Sequence, residues 1–245
     1  MKDAADKLRH VGGCRYFILG AILILFNGFA YANPEINCLA KSSFNKLFKK
    51  ITQAQPYTFF YHLPISPQGK VKVQSCAYCP IEEANVVAMP IVPLEWLAKD
   101  LPCYQHKLCS KPNSLFYKGL SCCQKTDSLY QKMSQDLHNF VPETRLMKQF
   151  RGKHMPAILL NSEAELSVDK KKHLIHLPEA QRGIVARIYL YMTDKYQLKL
   201  DKSLKLTLES WDALYPVTTW EKNRNRLIYQ AQGSYNHHIE SGYSP

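Results

Sequence analysis

The segment Arg182-Gly183-Ile184-Val185-Ala186-Arg187-Ile188-Tyr189-Leu190-Tyr191-Met192 decides how the chain's second half is read. Ile184, Val185, Ile188, Tyr191 and Met192 recur at helical spacing and form a wide apolar stripe, which predicts a helix over Ala180–Tyr196. Downstream, Leu204, Leu208 and Trp211 mark a second helix with Asp201 as its N-cap. Thr218-Thr219-Trp220-Glu221 fits a capping box for a third helix, ending near Gly233. Upstream, Leu129, Met133, Leu137 and Phe140 line one face of a helix from about Asp127 to Phe140, and His173–Leu177 reads as a short strand. The first half has a different rhythm. Residues 35–53 read as one or two short basic helices. The β-prone run Tyr57–His62, the turn Ser66-Pro67-Gln68-Gly69 and the alternating Lys70–Gln74 together predict a hairpin. Val86–Pro93 is broken by Pro90 and Pro93, so a strand there should be short or at an edge. Residues 103–125 read as a Cys-, Lys- and Ser-rich loop. With no internal repeat or low-complexity linker, these elements predict one mixed, helix-rich α+β domain.

The composition narrows the class. The 245 residues carry 32 Lys+Arg against 20 Asp+Glu, a formal charge of +12, and 46% are hydrophobic. This excludes a disordered acidic tail, a collagen-like repeat and a polytopic membrane protein. Lys2, Lys7, Arg9 and Arg15 precede the apolar run Tyr16–Phe29, and Ala30-Tyr31-Ala32 supplies small residues for cleavage. That order predicts a signal peptide over residues 1–32 and a single exported domain over 33–245, with no stable membrane insertion after cleavage. Cleavage removes four basic and two acidic residues, leaving a charge of +10. Export makes Cys38, Cys76, Cys79, Cys103, Cys109, Cys122 and Cys123 disulfide candidates rather than thiol ligands. Seven is odd, so at least one thiol stays free or pairs between chains. Zinc held by Cys103, His106, Cys109, Cys122 and Cys123 is the alternative, and oxidation would forbid it.

Several motifs in order carry a resemblance. The Arg182–Met192 segment is followed by Trp211-Asp212-Ala213-Leu214-Tyr215-Pro216-Val217, then Trp220-Glu221, Arg224-Asn225 and Gln232-Gly233-Ser234-Tyr235-Asn236. Asp136-Leu137-His138-Asn139-Phe140-Val141-Pro142 precedes them. The chain from about Tyr57 to Ile239 thereby resembles the endonuclease I family of exported bacterial nucleases. The resemblance implies an endonuclease-I-like fold with a ββα-metal (His-Me finger) core, and periplasmic or secreted localisation. It implies cleavage of DNA and RNA with little sequence preference. There, a histidine base activates water, and Mg²⁺ or Ca²⁺ held by Glu and Asn stabilises the leaving oxygen.

The same resemblance shows where this chain departs. The family's Glu-His-Val-Val-Pro falls on Met89-Pro90-Ile91-Val92-Pro93. Met89 then replaces the metal-binding Glu, and Pro90 the base, which a proline cannot be. Asn139 matches the metal Asn, and Arg151 matches an Arg that meets phosphate, with Lys148 and Lys153 nearby. Arg224 is the cation of the last helix that falls on a motif position; of Arg182 and Arg187, at least one should be structural. Ser234 and His237 replace the closing motif's first Asn and its Pro, and Tyr61 and Leu63 stand where a Cys-x-Cys is expected. The expectation is an exported protein that binds nucleic-acid phosphates with weak or no cleavage. One alternative is an active metal-dependent endonuclease rewired through Glu82, Glu83 or His154. The other is a basic secreted interaction protein with a protein partner. His237-His238 also suggests a metal, but weakly without carboxylates beside it.

Overall fold

A computed structural model describes residues 41–74, 81–158 and 165–240. The signal-peptide expectation and Cys38, Cys76 and Cys79 lie outside the described residues. No helix among the described residues is long and apolar enough to cross a membrane.

The chain is α+β. Helix α1 (Lys41–Ala54) presents Phe44, Phe48 and Ile51 to a small apolar cluster. Strands β1 (Lys70–Gln74) and β2 (Ile81–Pro90) then pair antiparallel, Lys70 opposite Asn85. The hairpin expectation is therefore corrected in its partner. Tyr57 makes only an isolated bridge to Pro64, because the chain at Thr58–His62 curls back on itself and the Thr58 N–H reaches the Leu63 carbonyl at 2.9 Å. The edge-strand expectation for Val86–Pro93 is also corrected. β2 runs through the centre of a sheet of order β1-β2-β5, where β5 is Phe140–Thr144. Pro90 is tolerated because it ends the strand, opposite Phe140, so no interior rung loses a donor.

Between the paired strands β2 and β5 lies a disulfide-bound insertion. It holds α2 (Leu94–Ala98), α3 (Pro102–Gln105), the two-residue strands β3 (Cys109–Ser110) and β4 (Phe116–Tyr117), α4 (Leu120–Thr126) and α5 (Ser128–Met133). Cys103 bonds Cys123 and Cys109 bonds Cys122. The adjacent pair Cys122-Cys123, both fully buried on α4, thus clamps α3 and β3 onto one helix. The supposed loop at 103–125 is compact structure, and its thiols are consumed by disulfides, which rules out the zinc alternative there.

The single helix expected from Asp127 to Phe140 is broken. α5 stops at Met133, a 3₁₀ turn covers Leu137–Asn139, and β5 begins at Phe140. Asp136 causes the break: its carboxylate accepts the His138 backbone N–H and starts a new turn instead of continuing α5. Helix α6 (Arg145–Arg151) follows β5 directly and is capped by Thr144, whose side chain accepts from the Met147 N–H. β2, β5 and α6 together form a ββα unit. A second small sheet of order β6-β8-β7 comprises β6 (Met155–Ala157), β7 (Ser167–Asp169) and β8 (Leu174–His176), the last close to expectation.

The three closing helices are those read from the sequence: α7 (Glu179–Tyr196), α8 (Lys202–Leu214) and α9 (Thr219–Gln232). Asp201 caps α8, and Thr218 and Glu221 form the reciprocal box on α9. Gly233 closes α9 in the left-handed region at φ 72°. α7 is buried nearly all round and forms the spine of the main core with Trp211 and Leu208 of α8. Gly183 allows the close approach: a Cβ there would sit 2.6 Å from the Tyr215 Cβ and 2.8 Å from the Arg187 Nη2.

Candidate functional site

The motif residues converge on the turn that carries Asn139. Asp136 is buried, and its carboxylate oxygen Oδ2 accepts from Lys195 Nζ at 2.7 Å, Tyr196 Oη at 2.8 Å and Tyr191 Oη at 3.0 Å. Burial alone would raise its pKa, but the Lys195 charge, His138 and the hydrogen bonds outweigh it and hold the carboxyl at about 2. Gln232 grips the same turn from both sides: its Nε2 donates to Asp136 Oδ1 at 2.7 Å and its Oε1 accepts the Leu137 N–H at 2.8 Å. Arg224 donates to the carbonyls of Leu137 and Phe140. Asn225 and Asn236 pair side chain to backbone in both directions, and the Asn236 amide also reaches the Arg187 carbonyl at 3.1 Å.

Arg224 is therefore buried and engaged by carbonyls, not a phosphate contact, because one guanidinium nitrogen reaches both the Leu137 carbonyl of the 3₁₀ turn and the Phe140 carbonyl that opens β5. Arg182 and Arg187 are both structural. Arg182 donates to the Leu177 carbonyl and to Tyr215 Oη. Arg187, fully buried, binds Glu221 at 2.6 and 2.9 Å, Asp212 at 3.1 Å and the Tyr215 carbonyl at 2.8 Å.

The strand register places Met89, Pro90 and Asn139, the positions matched to the family's Glu, His and Asn, close together. Met89 faces Val141, Pro90 faces Phe140, and Ile91 N donates to the Asn139 carbonyl at 2.8 Å. The Asn139 side chain is sewn to the strand beyond Pro90. Its Oδ1 accepts the Val92 N–H at 2.7 Å, and its Nδ2 donates to the Val92 carbonyl at 3.0 Å. Asn139 and Met89 are both fully buried. A hard divalent cation needs several oxygen donors. These positions offer a thioether, a proline ring and one amide oxygen already engaged, a set that does not fit such a cation. Slippage does not supply the missing donors: Glu82 and Glu83 face Val73 and Lys72, about 20 Å along the strand from Met89. Glu83 pairs with Lys70 instead. His154 bonds the Arg151 carbonyl at 2.9 Å.

The Asn139 clamp has a measurable cost of removal. Asn139→Ala strands the Val92 N–H and carbonyl in a dry interior, and the expected loss is about 2 kcal/mol of unfolding free energy in urea. A side chain free to serve as a ligand would cost much less.

Around these residues lies a cleft of about 410 Å³, lined by Met89, Pro90, Glu95, Arg145, Lys148 and Arg151 among others. Arg145 and Lys148 are exposed on α6, and Lys153 is exposed just beyond it. Lys148 Nζ bonds the Ala88 carbonyl at 2.9 Å, and partial desolvation together with Arg145 lowers its pKa. Arg151 is buried and donates to the carbonyls of Ile91 and Gly152, so its guanidinium braces the strand from beneath the cleft. Sequence reasoning missed Arg145 and Glu95, which no motif marks; only the position of Arg145 directly after the Thr144 cap hinted at an exposed first turn.

The endonuclease I family model matches residues 102–242, more than half of the chain. The chain belongs to the endonuclease I family. Endonuclease-1 of Buchnera aphidicola subsp. Baizongia pistaciae (strain Bp) is 30% identical over 234 residues, covering 89% of this chain and 91% of that one. A periplasmic deoxyribonuclease of Aeromonas hydrophila is 30% identical over 204 residues, covering 78% of this chain and 81% of its own length. An extracellular deoxyribonuclease of the same species is 29% identical over 214 residues, covering 82% and 86%. In this endonuclease I family member, the motif residues Arg224 and Gln232 hold the Asp136–Phe140 turn, Arg187 and Glu221 pair beneath the α7–α8 packing, and Asn225 ties Asn236.

Proposed function

We propose that this is an exported endonuclease-I-like protein that binds nucleic-acid phosphates without sequence preference and cleaves them weakly or not at all. The observation that carries the reading is the cleft itself: Arg145, Lys148 and Lys153 stand at or beside it, its lining includes Met89 and Pro90, and Asn139 is buried behind it, clamped to Val92. Cations on an exposed helix hold a polyanion through its backbone, which carries no base information. Export is supported by the relatives named periplasmic and extracellular deoxyribonuclease and by the basic, apolar and Ala-x-Ala order of residues 1–32.

The purified chain is incubated with supercoiled plasmid and with RNA in Mg²⁺ or Ca²⁺, with and without chelator. The expected result is intact nucleic acid and retarded migration at low salt. With about three phosphates neutralised, affinity should fall roughly 40-fold between about 50 and about 200 mM salt. Lys153→Ala or Arg145→Ala should each flatten the log–log salt slope by about 0.9. Absence of binding at low salt overturns the nucleic-acid reading. Chelator-sensitive cleavage lost in Glu95→Ala, the carboxylate among the residues lining this cleft, overturns the loss of chemistry.

A further inference from the structure

We propose that Asp194, His237 and His238 form a binding site for a borderline divalent transition metal, with Zn²⁺ the best fit, in which Asp212 orients His238. The site shares no residue with the cleft and does not depend on its reading. His238 Nε2 lies 2.8 Å and His237 Nε2 3.4 Å from the same Asp194 oxygen, and the three donor atoms all fall within 4.8 Å of one another. Donors held tetrahedrally at zinc–ligand lengths of about 2.0–2.1 Å are separated by roughly 3.3 Å, so shifts of about 1 Å or a little more convert the observed spacing into a coordination shell. Two imidazoles and one carboxylate suit Zn²⁺ and not a hard cation such as Mg²⁺.

The scaffold under these side chains is hydrogen-bonded into the core. The turn His237–Ile239 hangs from Asn236, whose Oδ1 accepts the His238 N–H at 3.0 Å and whose carbonyl accepts the Ile239 N–H at 3.1 Å. Asn236 is itself fully buried and tied to Asn225 and to the Arg187 carbonyl. Asp194 lies in the last turn of α7, where the helix dipole favours a cation. The second nitrogen of His238, Nδ1, lies 4.0 Å from Asp212 Oδ2, and the other Asp212 oxygen is held by Arg187 at 3.1 Å. A carboxylate behind a ligating imidazole fixes its tautomer and raises its basicity. With Nε2 on the metal, Nδ1 carries the ring N–H on the side of Asp212, and a movement of about 1 Å brings the two within hydrogen-bond distance. Three protein ligands leave a fourth position. A cavity of about 470 Å³, lined by His238, Asp194 and Asp212 together with Lys205 and Glu209, adjoins these donors.

The test uses the purified chain without an affinity tag, stripped of metal by chelator and dialysed. Zn²⁺ is titrated calorimetrically, and Co²⁺ is added separately to read its visible absorption. The expected result is one Zn²⁺ per chain, intense tetrahedral Co²⁺ bands and a higher melting temperature with zinc. His237→Ala should weaken binding about 100-fold and abolish the bands, and Asp212→Asn should weaken it roughly 10-fold. His237 is more than half exposed, so its truncation leaves the fold intact, checked by an unchanged melting temperature without metal. No zinc binding by the unaltered chain, or equal affinity and stoichiometry in His237→Ala, overturns the proposal.

Discussion

Replacing Arg187 with Met is expected to remove about 3–5 kcal/mol of stability, read as a lower urea midpoint at unchanged slope. The guanidinium is buried at 1% exposure and answers Glu221, which is equally buried. Arg187→Met leaves the Glu221 carboxylate in a dry interior with only the Thr218 N–H and hydroxyl as donors. The loss reflects the stranded charge more than the net worth of the pair, and a double-mutant cycle separates the two. Adding Glu221→Gln to Arg187→Met removes the orphan charge and keeps an acceptor for the helix cap, so it should recover part of the loss. Strict additivity of the two changes would refute coupling between these groups.

Stability should also fall by about 3 kcal/mol as pH drops from neutrality toward 4, through His138. Burial lowers its pKa to about 4 from an ordinary 6.5, despite the opposing pull of Asp136 and the Ser234 carbonyl. A carbonyl only accepts, so the Nε2 at 3.1 Å from it carries the proton in a neutral ring. Between pH 6.5 and 4 the unfolded chain binds a proton that the folded chain refuses. Its contribution is therefore complete above pH 6.5 and lost as pH falls toward 4. Asp136 contributes in the same direction lower down, present above 3.8 and lost as pH falls toward 2. His138→Gln keeps a donor for Ser234 and removes the titration, so its unfolding free energy should be flatter between pH 7 and 4.5. Parallel profiles for the two proteins would exclude His138 as the source.

The closing helices were legible because their signals are local: an apolar stripe at 3.6-residue spacing, Asp201 and Thr218 at the caps, and Gly233 at the stop. The break after Met133 was not, since the apolar spacing Leu129, Met133, Leu137, Phe140 continues across it while Asp136 redirects the backbone through a hydrogen bond. Partner choice for β1 was hidden for another reason. The alternating pattern of Lys70–Gln74 marks a strand but does not say which neighbour it joins, and Pro90 at the far end of β2, with Pro93 just beyond it, disguises a central strand. At the site, motif matching located Met89, Pro90, Asn139 and Arg224 but did not show that Arg224 is buried. Charge in a sequence does not show whether carbonyls wait for it inside. The His237-His238 pair gained weight only when folding brought Asp194 and Asp212, from two other helices, beside it.

The insertion between β2 and β5 has a kinetic consequence. Strands that pair residue for residue, Ala88 with Pro142, are separated by roughly 50 residues, and closing such a loop must precede any gain from the sheet. The Cys103–Cys123 bond joins residues 20 apart inside that loop and shortens its effective path to roughly 30 residues. The entropic barrier to first contact drops by about 0.4 kcal/mol, close to a twofold faster search. An oxidised chain thus reaches the β2–β5 register, and with it the floor of the cleft, sooner than a reduced one, so the order in which bonds and strands form is partly written into the cysteine spacing.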